Sequence, residues 1–406
     1  MSKTSYKKTK LACYLGYITQ AISINLLPLL YLTFQQEFSV SLSQLGLLVT
    51  VLFVIQIVVD LLAARFGKYL PYRFGSVLSF TLASVGFVLM CVLPMVMDPY
   101  VGILLASLLF SVGGGLIEVL ISPMIDAIPE ESKAGEMSLL HSFYCWGVVA
   151  VILLSTIFFA LVGIEHWRWL VLLWAIVPAL TAVLFLVVPV PPKPEENAEH
   201  VGASSNRMHS GLFWLLMALM VFSGATELAP AQWASFFAEN GLGVPKALGD
   251  LLGPCAFALF QGVSRVVFSR MSRHHDPRRL LVLHGVGCVV SYAVIALVPY
   301  SFVSLLGFCL CGWCVGPMWP GVLSLSSERF PAAGTSMFAM LALCGDVGCS
   351  AAPVMVGAVT DRLVAVDWSL SFAMRVGFAV CMLFPVLLTV GLIWLRKRKI
   401  TKNRTF

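Results

Sequence analysis

The sequence predicts an all-α membrane protein, with twelve transmembrane helices in two pseudo-symmetric halves of six. Three observations predict it. Charged residues make up 11% of the 406-residue chain and hydrophobic ones 59%, whereas a water-soluble domain carries about 25% charged residues. The mean hydropathy of +0.92 says the same. The apolar residues are also gathered into runs of about 20, the length that crosses a hydrocarbon core as a helix, and they lack the period-2 alternation of barrel strands. In lipid the backbone must satisfy its own hydrogen bonds, so runs without that alternation are helices. Finally, one polar stretch, PPKPEENAEHVGASSNRMHS, interrupts the apolar runs near the middle of the chain.

The first half holds expected spans at 11–34, 45–66, 74–93, 101–123, 137–162 and 170–190. The second holds spans at 212–237, 248–268, 280–298, 302–324, 335–359 and 370–395. The domain reading is a six-helix bundle over 1–190, a cytoplasmic linker over 191–211, and a second six-helix bundle with a basic cytoplasmic tail over 212–406. The linker is rich in Pro, Glu, Asn and Ser, which favour extended and turn conformations. A trace of duplication links the halves. Gly115, Pro123 and Gly147 have counterparts in Gly312, Pro320 and Gly345. Parallel halves of this kind are one transporter architecture, with the substrate site near the midplane and rocking of the halves exposing it to each side in turn.

Lys and Arg set the orientation. Of the 26 basic residues, 21 fall in segments that an even number of spans places inside, both termini included. Arg168, Lys246 and Arg362 fall outside, and Arg265 and Arg375 lie within spans. The net charge of +6 is therefore a topology signal, not a nucleic-acid footprint. The expected location is the plasma (inner) membrane. No cleavable signal segment is read at the start, where the basic residues lead into a full-length first span. Most of the eleven cysteines lie in apolar runs. Cys311 and Cys314 have CxxC spacing without a second pair or a His cluster, which reads as packing rather than metal or disulfide chemistry.

Ionisable groups inside spans are costly and usually face a cavity or a partner. Glu118 lies in the fourth span, in GGGLIEVLISP; a carboxyl group there can load and release a proton, accept a substrate hydrogen bond, or bind another helix. The adjoining Gly113, Gly114 and Gly115 would let neighbouring helices approach closely, and Pro123 bends or ends the helix. His141, in LLHSFYCWG, and Asp346, beside Gly345 and Gly348, complete the proton-coupling candidates. In the seventh span Glu227, Gln232 and Trp233 offer a carboxylate, an amide and an indole to a hydroxyl-rich ligand. Gln20, Asn25, Tyr144, Trp313 and Trp319 are the other substrate-binding candidates. Asp60, Arg65 and Arg265 stand at inner ends of spans, where charges can latch one conformation. Arg375, near the outer end of the last span, is expected to snorkel to the surface. For each of these the plain alternative is helix packing or an interfacial position.

No enzyme constellation is present. The chain lacks GxxxxGK[ST], HExxH and GxSxG. No cofactor beyond a coupling ion, H+ or Na+, is expected, and no nucleotide or nucleic acid; the partners are a small solute and the bilayer.

These segments resemble the major facilitator superfamily over nearly the whole chain. Over about a third of it they resemble the fucose–proton symporter branch. The segments that carry the resemblance are GGGLIEVLISP with LLHSFYCWG, SGATELAPAQW, QGVSRVVFSR, and MWPGVLSL with GDVGCSAAPVMVGAVTD. The resemblance implies a monomeric transporter in which Glu118 takes the place of the branch's fourth-span Glu, which serves proton coupling and sugar binding. Tyr144 stands where the branch has Asn. The branch's first-span Asp has no counterpart here, Ser23 and Asn25 being nearest, and the superfamily's loop motif after the second span is degraded in LAARFGKYLPYR.

The resulting expectation is a secondary transporter moving a small polar solute, a sugar or related compound, by proton symport. The alternative is proton-coupled efflux of drugs or metabolites. Efflux antiporters of the superfamily carry Gly-Pro in the fifth span, whereas CWGVVAVILLSTIFFALVG has no Pro. A PESPR run of the general sugar porters is also missing. A receptor or scaffold that kept the fold is the third reading, and the short loops with no appended signalling domain give it little support.

Overall fold

The structure is a computed structural model that describes residues 6–193, 210–241, 243, 251–331 and 333–397. Most of the expected linker, with Arg207, and the tail beyond Lys397 lie outside the described residues, as does Lys246. Among the described residues all regular structure is helical.

The first six spans are α1 (Lys7–Leu29) continued by α2 (Tyr31–Phe38), α3 (Leu42–Phe66), α4 (Tyr72–Val96), α5 (Pro99–Ala127), α6 (Lys133–Val162) and α7 (Trp167–Val187). The second six are α8 (Gly211–Phe236), a π-turn at Leu251–Cys255 running into α9 (Ala256–Met271), α10 (Pro277–Leu297), α11 (Ser301–Val315) with α12 (Met318–Arg329), α13 (Gly334–Val364), and α14 (Leu370–Cys381) with α15 (Leu383–Lys397). Ten segments among the described residues are long and apolar enough to cross a membrane; α3 and the π-turn with α9 supply the remaining two of the twelve expected. The helix breaks sit where the sequence removes a backbone donor or bends the chain. Pro28 stands at the α1–α2 junction, Gly316-Pro317 between α11 and α12, and Pro385 just after the start of α15. Pro123 does not end α5, which continues to Ala127.

The chain divides into two compact units, Met1–Met208 with Ser327–Leu343, and His209–Ser326 with Cys344–Phe406. In the first unit the expected close approach at the glycine run occurs, and each glycine serves a different neighbour. A Cβ on Gly113 would stand 2.5 Å from Ser79 O and 2.8 Å from Ala83 N of α4. One on Gly115 would meet Val59 Cγ1 at 2.9 Å and Gln56 Oε1 at 3.1 Å on α3, while Gly114 faces Ser23 of α1 at 3.6 Å. α5 is thus the central post of this unit. At the end away from Lys10, Trp167 is fully buried against Phe34 and Phe38, and its Nε1 donates to Glu37 Oε2 at 2.7 Å. Arg168 holds the other oxygen of Glu37 at 2.5 Å, so one carboxylate ties α2 to α7.

In the second unit α8 and α13 cross at backbone contact, through Gly224, Gly345 and Gly348. Proline leaves carbonyls in this unit without their helical donor, and side chains take over. Pro230 cannot serve Thr226 O, and the hydroxyl of the fully buried Tyr292 donates to it at 3.0 Å. Pro320 cannot serve Gly316 O, and Arg265 Nε donates to it at 2.7 Å. Arg375 is less a snorkelling residue than a cap: its guanidinium donates to Ile295 O at 3.0 Å and to Val298 O, the last carbonyls of α10. Arg73 does the same for α7, donating to Phe185 O and Val188 O at 2.8 and 2.9 Å.

Two stability measurements in detergent check this packing. Gly113→Ala puts a methyl against backbone atoms that cannot yield and is expected to cost about 2 kcal/mol or more, with a matching fall in Tm, whereas Gly114→Ala is tolerated within about 0.5 kcal/mol. Tyr292→Phe leaves Thr226 O buried without a donor and is expected to cost about 1–2 kcal/mol.

Candidate functional site

Glu118 projects from the second half of α5, inside its apolar run, and is half-buried. Its Oε2 accepts from Gln20 Nε2 of α1 at 2.7 Å and from Gln56 Nε2 of α3 at 3.2 Å. The amide of Gln56 also lies 3.4 Å from Oδ1 of Asp60, one turn along α3, which is fully buried. One amide nitrogen therefore stands between two carboxylates, and a proton taken by either changes the field at the other. Charge-assisted bonds of this kind are stronger than neutral ones and hold their geometry. Two of the expected residues, Glu118 and Gln20, are brought together directly, and Asp60 joins them through Gln56. Asp60 thus belongs to the same polar cluster as the proton-coupling candidate.

One helical turn from Glu118, Ser122 begins a second cluster. The Tyr17 hydroxyl lies 2.5 Å from Ser122 Oγ and 3.2 Å from His141 Nε2, and all three residues are buried. His141 Nδ1 lies 2.9 Å from Met137 O. A carbonyl only accepts, so Nδ1 carries the hydrogen, and in the neutral ring Nε2 accepts from Tyr17. His141 is therefore buried and hydrogen-bonded within this unit rather than solvated. Tyr144 is half-buried three residues along α6. Asn25 is half-buried and bonds its own helix, Nδ2 donating to Ala21 O at 2.9 Å.

In the second unit, Glu227, Gln232 and Trp233 do not form one cluster. Offsets of five and six residues turn side chains roughly 120–140° away around a helix. Glu227 instead meets Arg265, whose side chain is almost fully buried, at 3.3 Å and 3.4 Å through its two oxygens. Trp233 Nε1 donates to Pro353 O of α13 at 2.9 Å, and Gln232 is exposed. Arg265 thus serves a carboxylate and a broken helix at once. The six-membered ring of Trp319 sits against Gly345, a packing contact between α12 and α13. Trp313 and Asp346 are half-buried, Asp346 O accepting from Ser350 Oγ at 2.8 Å. Arg65 is exposed on α3.

Sequence reading missed Gln56, Tyr17 and Ser122. Gln56 stands four residues before Asp60, a helical spacing that was readable. The hydroxyls of Tyr17 and Ser122 carry no comparable signal, since such groups recur in spans as bonds to their own backbone. An apolar crevice of about 360 Å3 between α3 and α5, lined by Leu62, Phe66, Leu70, Leu116 and Leu120 among others, does not include Glu118.

A search of curated protein sequences finds no match. Among solved structures, the transporter FucP in its outward conformation superposes with a TM-score of 0.75 at 18% identity, covering 94% of this chain and 99% of that one. A variant of the E. coli fucose:proton symporter FucP gives 0.73 at 18% identity, covering 95% and 99%. The proton:xylose symporter XylE bound to 6-bromo-6-deoxy-D-glucose gives 0.76 at 13% identity, covering 96% and 95%. At these identities the likeness is one of fold. The family model of the Major Facilitator Superfamily matches residues 13–353 and 252–405, and with the twelve-helix architecture this identifies the chain as a multi-pass membrane transporter that belongs to the Major Facilitator Superfamily.

Proposed function

We propose that this transporter moves a small polar solute, a sugar or related compound, by alternating access coupled to proton symport, with both termini in the cytoplasm. The observation that carries the reading is the carboxylate of Glu118, set within the apolar run of a membrane helix and held by the amides of Gln20 and Gln56. A hydrogen-bonded carboxylate with amide neighbours suits both jobs of a symport site. The amides and carboxylate offer donors and acceptors to solute hydroxyls, and the carboxylate takes a proton that cancels its charge. The cost of moving an ionised group through a low-dielectric interior then falls, and proton and solute cross together.

Two further observations support the reading over efflux. α6 runs unbroken from Lys133 to Val162 with no proline inside it, unlike the Gly-Pro fifth span of antiporters in the superfamily. The structural neighbours are also symporters for fucose and xylose. The 21-to-3 split of basic residues supports the orientation. Tyr144 and Asn25, half-buried on the helices that flank the cluster, extend it as further contacts for the solute. Glu227 with Arg265, Trp313, Trp319 and Asp346 are the corresponding candidates of the second unit.

Two measurements in liposomes holding a pH dye test this. A panel of hexoses, deoxyhexoses, disaccharides and amino acids is added outside, with pH followed inside and out; the expected result is external alkalinisation with one sugar class. No signal from any member, together with outward flux of a hydrophobic dye on a proton gradient, would replace symport by efflux. Glu118→Gln is expected to retain exchange of the solute and to lose accumulation on a pH gradient, the concentrations inside and outside becoming equal. Undiminished accumulation by this variant removes Glu118 from the coupling step.

A further inference from the structure

Along α1, Lys10, Tyr14, Tyr17 and Gln20 follow one another at spacings of four, three and three residues, which keeps them on a single helix face. Every one of them meets a polar group on the opposing segments. Lys10 Nζ pairs with Glu130 and lies 3.0 Å from Glu136 Oε2. Tyr14 donates to the same oxygen of Glu136 at 3.3 Å. Tyr17 joins Ser122 and His141, and Gln20 joins Glu118. Ten residues of helix rise about 15 Å, roughly half the thickness of a hydrocarbon core. A polar seam of that length, in a segment where apolar packing would hold the helices together, runs between the Glu118 carboxylate and the charged end of the unit.

The middle of the seam has an unusual property. With a neutral ring, Tyr17 donates to His141 Nε2 and accepts from Ser122. With a proton on Nε2, the ring donates to Tyr17, and Tyr17 donates to Ser122. The two hydroxyls can reverse their polarity without any heavy atom moving, because each both donates and accepts. Ser122 stands four residues after Glu118 on α5 and so shares its face.

We propose that this seam is the route by which the proton leaves Glu118 for the cytoplasmic end, with the hydroxyls of Ser122 and Tyr17 as the relay and His141 as the station that holds the proton on the way. The proposal rests on proton symport through Glu118. In the step, the O–H bond of the Glu118 carboxyl breaks and an N–H bond forms at His141 Nε2. Each hydroxyl between them gives up one proton and takes one, so the products are a carboxylate and an imidazolium. The imidazolium then releases that proton toward the charged end, where Glu136 lies bonded by Tyr14 and Lys10. The titratable and charged groups along the seam on the elements packed against α6 are Tyr17, Tyr14 and Lys10 of α1 and Glu118 and Asp126 of α5, with Glu136 on α6 itself; α7 meets α6 through Trp174 and Ser155, which carry no charge.

The test uses full-length protein in liposomes and the panel member that gives the largest wild-type alkalinisation. Tyr17→Phe removes one oxygen and keeps the ring. It is expected to retain solute exchange and to cut net, proton-driven accumulation at least 10-fold. His141→Gln keeps a hydrogen-bonding side chain that cannot titrate. It is expected to cut net accumulation to the same degree and to flatten the pH dependence of net uptake. A helix-packing role for the seam predicts instead a lower Tm with the pH profile unchanged. If both variants accumulate like wild type with the wild-type pH profile, while Glu118→Gln does not accumulate, the relay is wrong and the coupling carboxylate stands. If Glu118→Gln also accumulates, or wild type gives no proton signal with any panel member, the symport reading fails and the relay with it.

Discussion

A carboxylate in the interior of a lipid-solvated bundle must be given hydrogen-bond donors by its neighbours, and those neighbours must come close enough to give them. Glu118 sets this condition for the first unit. Its donors sit on two different helices, Gln20 on α1 and Gln56 on α3, so α5 has to lie near both. The three successive glycines one turn before it supply the closeness: Gly113 against the backbone of α4, Gly114 against Ser23 of α1, Gly115 against Gln56 and Val59 of α3. Removing side chains from α5 at these positions moves its neighbours inward, and that inward position is what lets two glutamine amides reach one oxygen. Packing and chemistry here are a single arrangement. The site is held by contacts that carry almost no polarity, and the helices are spaced by a group that must not be left without partners.

The second unit answers the same requirement from the backbone side. Lipid offers no water to a carbonyl that has lost its helical donor, yet bent helices are what allow a bundle to enclose polar groups. Tyr292 and Arg265 resolve the conflict by lending side-chain donors to Thr226 O and Gly316 O. Arg265 then carries a charge into an almost fully buried position, and Glu227 balances it. The ion pair follows from the bend as much as from any solute, since a charged donor needs a counter-charge once water is excluded.

Much of this was legible in the sequence. Length and hydropathy of the runs set the spans, because lipid permits little other than helix. The glycine run announced close approach, and Glu118 stood out because a carboxylate in an apolar run is rare. The pairing of groups was less legible. Gln56 was readable in principle from its spacing to Asp60, but a glutamine in a span is a weak signal until its partner is known. Tyr17 and Ser122 are separated by more than a hundred residues, and nothing in a linear pattern joins them. Glu227, Gln232 and Trp233 were grouped by nearness in the chain, whereas helix geometry turns them toward different neighbours. Arg265 and Glu227 read as members of two separate systems until tertiary structure put one beside the other. Local period fixed the elements; the contacts depended on which faces the glycines and prolines allowed to meet.

The bond from Arg265 to Gly316 O has a consequence for how this region can change. The carbonyl needs an outside donor only because position 320 is proline, with no N–H to offer. Any other residue at 320 would restore a backbone donor and make Gly316 O indifferent to what stands at 265. Conversely, with Pro320 in place, an apolar residue at 265 strands the carbonyl and leaves Glu227 without its counter-ion. The three positions are therefore bound into one unit of substitution. Pro320 can be given up first at little electrical cost, whereas Arg265 can be given up only after, or together with, Pro320 and Glu227. The order in which substitutions are tolerated is written into the donor count of a single peptide group.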